Sequence, residues 1–161
     1  MAPTPSPYRA LPAARRAALV AHAIKASRET RALYVQRLVA RGGGFRAVTL
    51  NGWPVERLAA EIVRMKAESA EDELDLLQLL YVELEPEIQS TFLDAAGVPH
   101  EGGRIGDELE PPYADADGVR RGAEAVLARH GADGAHYLRT LARYNAEAWP
   151  EIGAVMAALD G

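Results

Sequence analysis

Apolar residues recur along this chain at three- and four-residue steps, the spacing that lines one face of an α-helix. Nowhere do they alternate with period two for long enough to build a strand. After Pro12, which suits the first turn of a helix, Leu19, Val20, Ala23 and Ile24 predict a helix ending near Ala26. Ser27 caps a second, with Leu33, Tyr34, Val35, Leu38 and Val39 facing inward, and Gly42 supplies the left-handed residue that ends it. Phe45, Val48 and Leu50 show no clean period, and residues 45–52 read as a loop or short helical turn. Trp53-Pro54 then opens a helix whose Val55, Leu58, Ile62 and Met65 share one face.

The strongest pattern follows Ser69, which pairs with Asp72 as a capping box. Leu74, Leu77, Leu80, Tyr81 and Leu84 form its stripe, widened by Leu76 and Leu79. Pro86 lacks an amide donor and clashes with the carbonyl four residues earlier, so a break is predicted near Glu85. Ile88, Phe92, Leu93 and Ala96 lead to a Gly97 cap. Residues 98–114 are Gly- and Pro-rich and longer than ordinary connections. Asp117 is expected to cap the next helix (Val119, Ala123, Val126, Leu127), which Gly131 closes. Asp133 opens another, with Tyr137, Leu138, Leu141 and Tyr144 inward, and Trp149-Pro150 opens the last, with Ile152, Val155, Met156 and Leu159. The prediction is all-α: a compact bundle of six to eight short helices with one long Gly/Pro-rich loop. Three alternating prolines make residues 1–8 an extended, disordered tail, leaving 9–161 as a single helical domain.

Charge changes this picture more than composition does. The net of −5 conceals three blocks. Residues 1–66 carry twelve Lys and Arg against three acids, residues 67–117 carry fifteen acids against Arg104 alone, and residues 118–161 balance at five of each. Such polarity points to partners, self-docking or anionic ligands, and the basic first helices are expected to dock on the acidic middle. The absence of cysteine excludes disulfide scaffolds, Cys-ligated zinc and thiol catalysis. No apolar run approaches the roughly 18 residues of a membrane span, and the N-terminus has no signal-like apolar core, so a cytoplasmic location is expected.

Several motifs imitate chemistry without its context. Gly42-Gly43-Gly44-Phe45-Arg46-Ala47 matches G-x-G-x-x-A, but a predicted helix precedes it where a dinucleotide site needs a strand. Residues 113–124 overlay a calcium loop at Asp115, Asp117, Gly118 and Glu124, yet Tyr113 takes the first ligand position and Arg120 and Arg121 repel a cation. His22, His100, His130 and His136 lack metal-ligand spacing, and only His100, beside Glu101, falls in a loop suited to chemistry. No nucleophile or P-loop signature occurs. We therefore assign no catalytic residue, cofactor or metal ligand.

What remains is a non-enzymatic protein-interaction module, an adaptor, accessory subunit or regulator, engaging a protein partner or a second copy of itself. Its candidate surface comprises Glu71, Glu73, Asp75, Glu83, Glu87, His100, Glu101, Asp107 and Glu108. Two readings compete with it. One is a ligand-binding or enzymatic helical domain using the 98–114 loop as a lid. The other is nucleic-acid binding through the basic first helices, disfavoured because Arg28 and Arg31 lie nearly opposite Arg37 and Arg41 on their helix. No membrane partner is expected.

Overall fold

Caps and prolines start the helices largely where the pattern predicts. The computed structural model describes residues 4–160, with side chains through residue 158. In these, α1 (Pro7–Ala10), α2 (Ala13–Ala26), α3 (Arg28–Ala40), α4 (Ala47–Asn51), α5 (Val55–Arg64) and α6 (Ala70–Gln78) precede a π-helical segment, Leu79–Leu84. Then come α7 (Pro86–Ala96), α8 (Ala116–Tyr144) and α9 (Ile152–Asp160). The fold is all-α, and the only β-type pairing among the described residues is an isolated bridge between Glu101 and Arg104. By its contacts the chain divides into two compact units, Met1–Leu79 and Leu80–Gly161.

In the first unit α2 packs on α3, α5 and α6 around Leu19, Val20, Leu38, Leu58 and Ile62, all buried. Ser27 accepts the Thr30 amide, and Ser69 and Asp72 complete both halves of the capping box. The short α1 lies on α6, with Tyr8 fully buried, so the end of the proposed tail is folded; residues 1–3 of that tail lie outside the described residues. Leu33 and Val39, expected inward, are exposed. The α3 surface has Tyr34, Val35 and Leu38 as its buried face, and these two fall to either side of it.

In the second unit α8 packs along α7 and α9. A methyl group at Gly122 would stand 2.8 Å from the Phe92 ring and 3.0 Å from the Phe92 carbonyl oxygen, so the absent side chain is what permits this approach. At Gly131 the backbone (φ 54°, ψ −125°) leaves helical geometry, and α8 kinks there. The cap of α8 is Asp115, which accepts the Gly118 amide at 2.7 Å, and not Asp117, which lies in the first turn and pairs with Arg120. An N-cap residue keeps extended backbone just before the first helical residue, which Asp115 (φ −81°, ψ 176°) does and Asp117, already in the helix, does not. Leu159, placed on the inner face of the last helix by its spacing, lies outside the described side chains.

The break at Pro86 takes an unpredicted form. The Glu85 amide bonds the Leu80 carbonyl at 2.7 Å, an i to i−5 step that widens the helix before the proline. Leu80 and Tyr81 are thereby both buried, whereas Leu84, assigned to the same stripe, is exposed. A uniform 3.6-residue period carried through the break misplaces that last residue.

Candidate functional site

The basic block of the first unit is largely engaged by the chain itself. Arg9 donates to the Glu68 carbonyl at 3.0 Å, Arg16 to Leu11 at 3.1 Å, and Arg31 to Asn51 at 3.1 Å and Trp53 at 3.0 Å. Arg37 reaches the Ala67 carbonyl at 3.2 Å and Arg41 the Met65 carbonyl at 3.0 Å. These carbonyls lie at helix ends and in connections, where no helical partner is available to them. A planar guanidinium with five donors suits that task better than a lysine ammonium. Arg57 adds a cation–π contact, 3.9 Å from the Trp53 ring centroid.

The acids at 68, 72 and 73, at the start of α6 and just before it, receive further donors. Ser6 and Tyr8 donate through their hydroxyls to Glu73 and Glu68, Arg9 pairs with Glu73 at 3.3 Å and Glu68 at 3.5 Å, and Arg37 pairs with Asp72. The Glu68 carboxylate is fully buried and paired, as a buried charge must be. Burial, reinforced by the hydrogen bond to Glu68, pushes the ionisation of Tyr8 upward, and burial together with Asp72 and Glu68 does the same for Tyr34. The expected docking of basic first helices on the acidic segment thus occurs within this unit. It removes Glu73 from the set of available acids, while Glu71 and Asp75 stay exposed on α6.

The second unit has a different balance: fifteen acids against six Lys and Arg, where the first has eight against twelve. Glu83, Glu87, Glu101, Asp107 and Glu108 are exposed, and their carboxylates make no ion pair among the described residues. His100 is used structurally. Its Nε2–H donates to Asp94 at 2.6 Å, and its Nδ1 accepts the Gly103 amide at 3.0 Å, which defines the tautomer. Gln89 donates to the Gly103 carbonyl, Glu101 and Arg104 exchange backbone bonds at 2.9 and 3.0 Å, and the Tyr113 amide reaches Ala148 at 3.2 Å. These bonds anchor the 98–114 loop at residues 100–104 and at Tyr113.

Sequence reasoning missed a buried polar pair. His136, on α8, hydrogen-bonds the Tyr81 hydroxyl, while Thr140 donates to the His136 carbonyl at 3.0 Å. Tyr81 packs on Tyr137, which packs on Phe92, which meets Trp149 edge-on at 4.9 Å between centroids. Burial pushes the Tyr137 ionisation upward, with the neighbouring Tyr81 adding to it. The available signal was position, since His136 immediately precedes the inward Tyr137 and lies one turn before Thr140. Among the described residues no group of three His, Asp or Glu side chains is arranged to hold a metal ion, and no helix is long and apolar enough to cross a membrane. Compared with known protein families, curated proteins and solved structures, the chain has no significant match.

Proposed function

We propose that this chain is a charge-polarised helical bundle acting in the cytoplasm as a non-enzymatic protein-interaction module, its partner a basic protein segment. The observation that carries the reading is the contrast in how the two signs of charge are used. Arg9, Arg16, Arg31, Arg37 and Arg41 are engaged by the chain's own carbonyls and carboxylates. The acids at 83, 87, 101, 107 and 108 stay exposed without ion pairs among the described residues. Surplus exposed charge of one sign steers a partner of the other and suppresses like-charged ones. The same arithmetic counts against phosphate binding by the first helices, because engaged guanidinium groups are not available to replace counterions.

The test is fluorescence anisotropy of a labelled Lys/Arg-rich peptide titrated with the full chain at several salt concentrations. Binding that weakens with salt, and falls at least about tenfold in the variant Glu83→Gln/Glu87→Gln/Glu101→Gln/Asp107→Asn/Glu108→Gln, is expected. Binding indifferent to both salt and the five substitutions overturns the reading.

A further inference from the structure

The chain has two phenylalanines and two tryptophans, and each phenylalanine meets a tryptophan edge-on. In the second unit Phe92 and Trp149 do so at 4.9 Å between centroids and are buried, at 0% and 3% exposure. In the first unit Phe45 and Trp53 do so at 5.3 Å, yet both stay only half-buried. Their positions are fixed by the fold around them. Gly43 lies against the Phe45 ring, where a Cβ would stand 3.3 Å from it and 3.6 Å from the Met65 methyl group. Arg31 holds the Trp53 carbonyl at 3.0 Å, just before Pro54 opens α5. Between the two rings in the chain, α4 buries Leu50 and leaves Val48 78% exposed. Apolar side chains held at the surface in this way mark sites of interaction.

The surroundings of this pair are cationic. Residues 41–66 carry five Lys and Arg against Glu56 and Glu61, and both acids are already taken, by Lys25 and Arg64. Arg57 is exposed, lies over the Trp53 ring and forms no ion pair among the described residues. Arg46, the N-cap of α4, and Lys66, just after α5, are exposed too, and their side chains make neither ion pair nor hydrogen bond among the described residues. They differ in this from Arg9, Arg31, Arg37 and Arg41, whose donors go to the chain itself. Tryptophan and arginine are among the side chains most enriched at the energetic centres of protein interfaces.

We infer that this surface docks an acidic segment of a protein partner, with an apolar side chain of the segment against Phe45, Val48 and Trp53 and its carboxylates on Arg46 and Arg57. Charge complementarity sets the sign of the partner, and a guanidinium fork suits a carboxylate because it can bond both oxygens. The apolar part sets the class. A nucleic acid fits less well: bases stack on open ring faces, whereas Arg57 occupies one face of the indole and Gly43 lies against the Phe45 ring. A lipid surface fits less well because α4 has five residues, too few to lay an extended apolar face into headgroups. This surface belongs to the first unit and takes acids, while the one proposed for a basic segment belongs to the second, so either proposal can fail without the other.

The test is fluorescence anisotropy of a labelled Glu/Asp-rich peptide with central leucines, titrated with the full chain. Binding with a Kd of about 100 µM or tighter is expected. The emission of Trp53 should change with it, and that of the buried Trp149 should not. Serine in place of the peptide's leucines is expected to weaken binding at least about tenfold, and so is Arg46→Glu/Arg57→Glu in the chain. Both arginines are exposed, so helicity in circular dichroism should be unchanged. Val48→Asp, also at an exposed position, is expected to weaken binding as well. Replacement of the acids at 83, 87, 101, 107 and 108 is expected not to weaken it. A Kd weaker than about 100 µM, equal binding of the serine peptide, or tighter binding of an oligothymidylate or of anionic vesicles overturns the inference. So does a complex that ignores both Arg46→Glu/Arg57→Glu and Val48→Asp.

Discussion

In Met1–Leu79 Arg9, Arg31, Arg37 and Arg41 reach backbone carbonyls 20 to 59 residues away around a packed apolar core, whereas in Leu80–Gly161 Arg121 reaches the Ala95 carbonyl at 3.3 Å and an aromatic file and a glycine bring the helices together. The first arrangement uses directional bonds with solvent close by. The second uses dispersion and apolar burial, which depend on volume and tolerate little change in it. The balance of charge differs with it: the first unit has twelve cations against eight acids, the second six against fifteen.

The largest expected effect tests the packing side. Phe92 is fully buried between Tyr137 and Trp149, and Phe92→Ala removes the ring that joins them. A loss of about 4 kcal/mol in urea unfolding is expected, with amide exchange rising in α7 and α8 more than in α2 and α5. Equal acceleration in all four helices would break the contrast between the units. On the polar side, Glu68→Ala leaves the buried Tyr8 hydroxyl unpartnered and takes one carboxylate from Arg9. A loss of about 3 kcal/mol is expected, and Glu68→Gln, which keeps an acceptor, should recover part of it.

A pH titration sharpens the comparison. Tyr8, Tyr34 and Tyr137 all ionise at higher pH in the folded chain than their ordinary value of 10.0, chiefly through burial. A raised folded value means that the protonated form is favoured by folding. The stabilisation is complete below about pH 10 and is lost as pH rises above it, by roughly 1 kcal/mol per pH unit for each tyrosine. Urea midpoints should therefore fall steeply above about pH 10. Tyr34→Phe, which removes one titrating group beside Asp72 and Glu68, should flatten the fall. An unchanged slope would show that Tyr34 is not among the groups responsible.

Local punctuation was legible in the amino-acid sequence. Ser27, the Ser69–Asp72 box, Gly97 and the two Trp-Pro pairs act over three or four residues, and each marks a helix boundary close to where it stands. Features that depend on distant partners were not. Arg31 gives no sign that it will cap Asn51 and Trp53, because backbone carbonyls have no identity in a sequence. Leu33 looks as apolar as Val35, and only the packing of α3 separates them. The candidate acids were chosen for charge alone, which cannot tell Glu73, clasped by Ser6 and Arg9, from the exposed Glu83. The π-helical turn arises from the meeting of a strong helix with Pro86, and periodicity presumes that no such defect occurs.

The smallest expected effect isolates one backbone motif that the two units close differently. After α5 the Ala67 amide returns to Ile62 at 3.0 Å and Lys66 sits at φ 53°; after α7 the Val98 amide returns to Leu93 at 2.9 Å and Gly97 sits at φ 78°. These are the same left-handed helix ending, with lysine in one position and glycine in the other. Lysine there carries a steric cost that glycine does not, so Lys66→Gly is expected to raise stability by up to about 1 kcal/mol, partly offset by glycine's greater freedom in the unfolded chain. A Cβ at Gly97 would meet nothing within 4 Å, so Gly97→Ala tests conformation free of any clash and is expected to lower stability by about 1 kcal/mol. Opposite signs in thermal unfolding identify backbone strain as the variable. Two losses of equal size would mean instead that the Lys66 side chain contributes contacts which outweigh its strain, and the first unit would then rely on its cations even at a helix end.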